Sequence, residues 1–269
     1  MRYQGITRLT LVAGSGVLAG TAAVAADKPE IDRAAVDKAF EALDTYDWGT
    51  DRNTLNPIDE AVVATHGDVA ARKELETRLL AVLASGASRS AKDYVCRTLR
   101  TIGTAESVPA LAALLPDEDL SHIARYALER IPATEAGAAM RQALPKLPDA
   151  LKVGTIGSLG VRRDAASVAA LAGLLGNADP AIARAAACAL GNIGSPEAGK
   201  ALGDFGKKAS EGVKPAVADA CLVCAERLLA DGKKTEAIVL YESLSGEDQP
   251  KHVRLAAKRG LLTTAGKND

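Results

Sequence analysis

Residues 181–202, A-I-A-R-A-A-A-C-A-L-G-N-I-G-S-P-E-A-G-K-A-L, restrict the fold more than any other stretch of this chain. An apolar helical run ends at Leu190. Gly191, Asn192, Gly194 and Ser195 break it, and Pro196 opens a second helix that carries Leu202. The unit is a helical hairpin, and it recurs. Leu190 and Leu202 are 12 positions apart, and the same step joins Leu99 to Leu111, Leu128 to Met140, Leu159 to Leu171 and Leu228 to Leu240. The first anchors fall at 99, 128, 159, 190 and 228, with Leu261 in place for a sixth; the spacings are 29, 31, 31, 38 and 33. A period of this size with two helices per repeat predicts an all-α fold, an α-solenoid of stacked antiparallel hairpins. Each hairpin has an apolar face that only a neighbouring hairpin can cover.

Prolines mark the helix starts. Asp179-Pro180, Lys214-Pro215 and Gln249-Pro250 open the first helices of three repeats, and Ser195-Pro196 opens a second helix. Proline suits the first helical turn, where its missing N–H has no partner to lose. Before the array, residues 27–46 read as a helix with Ile31, Ala35, Phe40 and Leu43 on one side. Residues 57–84 read as two further helices, a divergent first hairpin. The expected organisation is a signal peptide at 1–26, an N-terminal helical cap at 27–89, the repeat array at 90–262 and a polar tail at 263–269. The signal peptide is read from Arg2 and Arg8, an apolar stretch over 9–24 and the small residues Val24-Ala25-Ala26. This predicts export to the periplasm or the cell exterior, with no membrane span left after cleavage.

Charge narrows the partners. The net charge is −1, and removing two arginines with the signal takes it to −3, without the basic excess of a nucleic-acid binder. Aromatics are only 3% of the chain, so Ala and Leu must fill the core. The four cysteines, Cys96, Cys188, Cys221 and Cys224, fall in register positions that do not pair them, and are expected as free, small helix residues. No metal or cofactor motif is present in the sequence.

The phrases D-P-A-I-A-R-A-A-A-C-A-L-G-N-I-G-S-P-E-A, T-L-R-T-I-G-T-A-E-S-V-P-A-L-A-A-L-L and D-L-S-H-I-A-R-Y-A-L-E-R-I-P resemble HEAT repeats over about residues 90–262. The sequence is similar, more closely, to exported bacterial proteins built from such repeats. The resemblance implies a protein-binding scaffold and carries no catalytic residue over. It also implies that the helix before the Ile-Gly turn lines the concave side of the array.

Counting back from each anchor leucine separates the faces of that helix. Positions eight, five, four and one before the anchor are mostly apolar or small and are expected in the core. Positions seven and three before it form a second row: Lys92, Ser121, Lys152, Ala183, Cys221 and Arg254, then Cys96, Arg125, Ile156, Ala187, Ala225 and Lys258. Arg100 and Glu129 continue it. The row is expected to face outward and to bind a protein or peptide segment, acidic or mixed, through Arg100, Arg125, Lys152 and Arg254. The loop 45–59 holds the only tryptophan, Trp48. It reads either as an end cap in which Trp48 covers the first hairpin's core, or as a binding loop with Trp48 as its anchor. An alternative function is an accessory or lyase-type enzyme whose nearest polar cluster is His122, Arg125 and Tyr126. Arg162-Arg163-Asp164 stands where neighbouring repeats carry Ile-Gly. It is expected as a solvated turn with an internal ion pair.

The signal reading has a direct check. The mass of the exported protein should correspond to a chain beginning after Ala26; a full-length chain held in the cytoplasm would refute it.

Overall fold

The computed structural model describes residues 31–265. Among them are fourteen α-helices and no strand. Three precede the array: α1 (Arg33–Asp44), α2 (Asn56–Ala64) and α3 (Val69–Ala84). The repeats follow as α4 (Arg89–Ile102) with α5 (Val108–Ala113), α6 (Ser121–Leu128) with α7 (Thr134–Ala143), and α8 (Asp149–Val161) with α9 (Val168–Leu174). The last are α10 (Pro180–Ile193) with α11 (Pro196–Gly206), α12 (Lys214–Ala230) with α13 (Lys234–Ser243), and α14 (Lys251–Ala265). The expected signal peptide lies outside the described residues.

Local chemistry sets these boundaries. The side chains of Asp32, Asp68, Ser88, Asp179 and Ser195 each accept a backbone N–H of the first turn that follows, which satisfies a donor the helix leaves free. Proline occupies the first or second position of α2, α5, α10, α11 and α12. The helix expected over 27–46 begins at Arg33, because Asp32 caps it there. Likewise Ser88 caps α4 so early that Arg89 is already helical.

The first helices of the repeats pack on one another in chain order, and the second helices form a layer beside them. All ten anchors, Leu99 to Leu240, are at most 5% exposed. Leu261 is half-buried against the same core. The pre-array segment joins the stack through Glu76 of α3. This carboxylate is 2% exposed. It accepts the Thr104 N–H at 2.7 Å and the hydroxyls of Thr104 and Ser107, in the turn between α4 and α5.

The outward row predicted at positions seven and three before the anchors is instead the seam between stacked helices. Cys96, Ile156, Ala187 and Ala225 are fully buried, as are Ser121 and Ala183, and Cys221 is 3% exposed. First helices run so close that this column needs small side chains. At Gly191 an added Cβ would sit 2.7 Å from the Ala220 carbonyl oxygen and 3.1 Å from its Cα, and at Gly160 only 2.8 Å from Ala189 Cα. The solvent-facing column lies one residue further on, at six and two positions before the anchors. Seven of its twelve positions are exposed, Arg97, His122, Arg184, Cys188, Glu226, Leu255 and Arg259, and the other five are half-buried.

Arg162-Arg163-Asp164 also departs from expectation, because its partners lie in other turns. Arg162 donates to three carbonyls of the preceding turn, Leu128 at 2.5 Å, Ile131 at 2.6 Å and Ala133 at 2.9 Å. Arg163 donates to the Ile193 carbonyl at 3.2 Å in the next turn and pairs with Asp231 in the turn after that. Asp164 pairs with Arg141 of α7 and accepts the Ser167 hydroxyl. Arg163 has φ 53°, the left-handed conformation that Gly194 (65°) and Gly232 (78°) adopt at the same register position. That conformation costs a non-glycine residue about 1–2 kcal/mol, which the two side-chain contacts oppose.

Filling the seam should therefore cost stability. Gly191→Val should lower the free energy of unfolding by about 1–3 kcal/mol, the usual penalty for overpacking. Urea denaturation followed by circular dichroism measures it. A variant as stable as the parent would show that α10 and α12 can move apart freely.

Candidate functional site

The loop between α1 and α2 is tethered to the start of α4. Asp47 Oδ1 accepts the Trp48 backbone N–H at 2.8 Å and the Ser90 hydroxyl at 3.0 Å, and the Tyr46 carbonyl accepts the Ser88 hydroxyl at 2.5 Å. These donors, the Trp48 N–H first, hold the Asp47 carboxyl below the usual carboxylate range. Gly49, at φ 89°, completes the turn. Trp48 is thereby held out from the protein, 94% exposed. The end-cap reading is overturned: the indole covers no core.

Beside the indole opens a cleft of about 710 Å³, lined by Tyr46, Asp47, Trp48, Arg52, Arg89, Ser90, Asp93, Tyr94 and Arg97. Its floor is a linked set. Tyr94 donates its hydroxyl to Asp59 at 3.0 Å, Asp59 pairs with Arg52 at 2.6 Å, and Arg52 lies 4.8 Å from the centre of the Tyr94 ring. Burial, reinforced by Asp59, pushes the Tyr94 phenol well above its ordinary pKa, so it stays a neutral donor. Arg97 is bound by Asp93 through two N–H groups, at 2.6 and 3.4 Å.

From this cleft the surface runs onto α6. Tyr126 lies against two guanidinium groups of α4, Arg100 at 4.4 Å and Arg97 at 5.8 Å from its ring centre. Arg100 is half-buried, its Nε is buried with no acceptor, and among the described residues it meets no carboxylate. Arg125 turns the other way, into the seam with α8. It donates to Ser158 Oγ at 3.3 Å and lies across Gly154, where an added Cβ would sit 2.4 Å from its guanidinium carbon. Burial pulls its pKa down, with Glu129 opposing. Glu129 itself accepts the Ser158 hydroxyl at 2.7 Å.

The sequence-predicted candidates thus divide. Trp48, Arg100 and Tyr126 flank α4 on one continuous face. Arg125 is a seam residue, so reversing its charge would disturb packing. Lys152 is half-buried and paired with Asp149 at 2.8 Å. Arg254 is half-buried on α14, in the last repeat. His122 is exposed on α6. The His122, Arg125 and Tyr126 cluster is not drawn together, since Arg125 faces α8 while Tyr126 faces α4. Sequence reasoning missed Arg52, Arg89 and Arg97 as neighbours of Trp48. The serines that fasten the loop to α4 are ordinary cap residues in the sequence.

Residues 137–221 match the family model of HEAT repeats. The crystal structure of an engineered protein is similar at a TM-score of 0.42 and 20% identity, over 86% of this chain and 68% of that one. No curated protein matches the chain.

The cysteines are free, with Cys188 exposed and the other three buried. Burial pushes the thiols of Cys96 and Cys221 up to about 12 and that of Cys224 to about 11, and raises Cys188 as well. A thiol reagent at pH 8 should therefore label Cys188 alone in the folded protein and all four after denaturation without reductant. Fewer than four labels in the denatured chain would reveal a disulfide.

Proposed function

We propose that this chain, a HEAT-repeat protein, is a non-catalytic scaffold that binds a protein or peptide through the Trp48 cleft and the adjoining face of α4 and α6. HEAT repeats generally serve protein interactions. The observation that carries the assignment of the site is the fully presented indole of Trp48, on a loop that is hydrogen-bonded to the start of α4 beside an open cleft of arginines and tyrosines. Exposed tryptophan beside arginine and tyrosine is the composition of interface hot spots, where a few residues carry most of the binding energy. The loop is fastened before any partner arrives, so little ordering entropy remains to be lost on binding. Export of the protein, directed by residues 1–26, would place the partner in the periplasm or outside the cell.

Trp48→Ala should leave circular dichroism and thermal melting unchanged, because the side chain contributes nothing to the core. Proteins crosslinked to the parent chain in the exported fraction should be lost with Trp48→Ala and captured less with Arg97→Ala. They should be retained with Lys200→Ala, whose side chain is 78% exposed on α11. An identical set of partners with Trp48→Ala would rule this site out.

A further inference from the structure

The cations along this face are not equivalent. Arg52 is held by Asp59 and Arg97 by Asp93, each at 2.6 Å, and Arg89 faces Asp119 at 3.5 Å. Arg125 is occupied by Ser158 within the α6–α8 seam. Among the described residues Arg100 is the one arginine of this face that combines partial burial with the lack of any hydrogen-bond acceptor, and its Nε is buried. Its guanidinium lies over the face of Tyr126. Glu129, its register equivalent on α6, is engaged by Ser158 and does not neutralise it.

A half-buried guanidinium without a counter-ion has lost hydration and gained little in return. A carboxylate arriving at Arg100 would displace no existing ion pair, whereas one arriving at Arg52 or Arg97 would compete with a resident aspartate. The planar fork of arginine suits a carboxylate through two parallel hydrogen bonds. Tyr126 is already stacked on the guanidinium and restricts its orientation.

We infer that the partner is an acidic peptide segment that seats a carboxylate on Arg100 beside Tyr126 and an apolar or aromatic side chain in the Trp48 cleft. The inference rests on the scaffold reading above and specifies the chemistry of its partner. Arg97 and Arg89 then contribute as rim charges that steer the segment towards the face.

Trp48 is the only tryptophan, so tryptophan fluorescence, excited selectively over the five tyrosines, reports on this site alone. The test is a displayed library of random dodecapeptides panned against the protein, with the recovered peptides synthesised, titrated by Trp48 fluorescence, and titrated again as labelled peptides by fluorescence anisotropy against the parent and Trp48→Ala. Asp and Glu should be enriched among them. Affinity should fall roughly tenfold or more in Arg100→Gln, fall less in Arg100→Lys, and weaken as salt rises. Circular dichroism and melting of each variant separate lost binding from lost folding. If Arg100→Gln unfolds, competition between each recovered peptide and its Asp→Asn, Glu→Gln counterpart decides the point on the parent protein. Peptides without acidic bias, or equal affinity of the two counterparts, would overturn the acidic-partner inference while leaving the scaffold site standing, provided binding still depends on Trp48. Recovery of no Trp48-dependent peptide would remove both. Oligo-dT dodecamers bound more tightly than any recovered peptide, with loss in Arg100→Gln, would overturn the peptide assignment in favour of single-stranded nucleic acid.

Discussion

The close approach of successive first helices is the constraint from which the rest of this structure follows. Where α8, α10 and α12 meet, backbone atoms of one helix stand where a side chain of the next would begin, at Gly160 against Ala189 and at Gly191 against Ala220. Small residues fill the column beside those glycines because nothing larger fits. One register position after the anchor, the same two repeats carry glycine, but the two repeats before them carry Arg100 and Glu129. The seam is therefore tight in the middle of the array and lined with polar side chains at its N-terminal end. The candidate site lies at that polar end, on a surface that packing does not consume.

The turns are bound together by a different device. In a stack of this kind each repeat touches mainly its neighbours, so stability accumulates as nearest-neighbour terms. The tandem arginines at 162 and 163 reach further. Between them they contact the turns after α6, α10 and α12. Arg162 reaches carbonyls that have no helical partner, beside Pro132, where other repeats place a glycine. Arg163 accepts a left-handed backbone that its neighbours assign to glycine, and in exchange holds two turns at once. A loop of charged residues on the sequence is thus an internal fastening, and its charges are not available to a ligand.

The sequence made the repeat architecture readable because leucine anchors, proline starts and cap residues act over short range. Twelve positions between anchors survive any rigid shift of the hairpins, so the ten anchors, nine leucines and one methionine, could be placed without knowing the stacking geometry. The outward face was misassigned by a single residue. A helix turns 100° per residue, and columns of Ala and Cys look alike whether they line a groove or a seam. Only the neighbouring helix decides between them. The sequence left Trp48 open between end cap and binding loop for a similar reason: the hydrogen bonds that hold it outward come from Ser88 and Ser90, some forty positions away. Arg100 was visible in sequence as a surface cation; its lack of a counter-ion is a property of the folded arrangement.

That lack bears on why the face is built as it is. Arginine over a tyrosine ring retains part of the stabilisation a carboxylate would give, roughly 0.5–1 kcal/mol at an exposed site and more where water is excluded. The ring thus lets Arg100 remain in the seam edge without an internal acid. An aspartate nearby would stabilise the free protein and close the site. Three neighbouring arginines have such an acid, and their side chains are fixed as walls of the cleft. The division between paired arginines that shape a surface and an unpaired one that can accept a ligand arises from which helix contributes the carboxylate. Asp93 lies one turn before Arg97 on α4 and can pair with it within the helix. Position 96, one turn before Arg100, is Cys96, buried in the seam. Packing demands a small apolar side chain there, and that same demand leaves Arg100 without an acid one turn before it on its own helix.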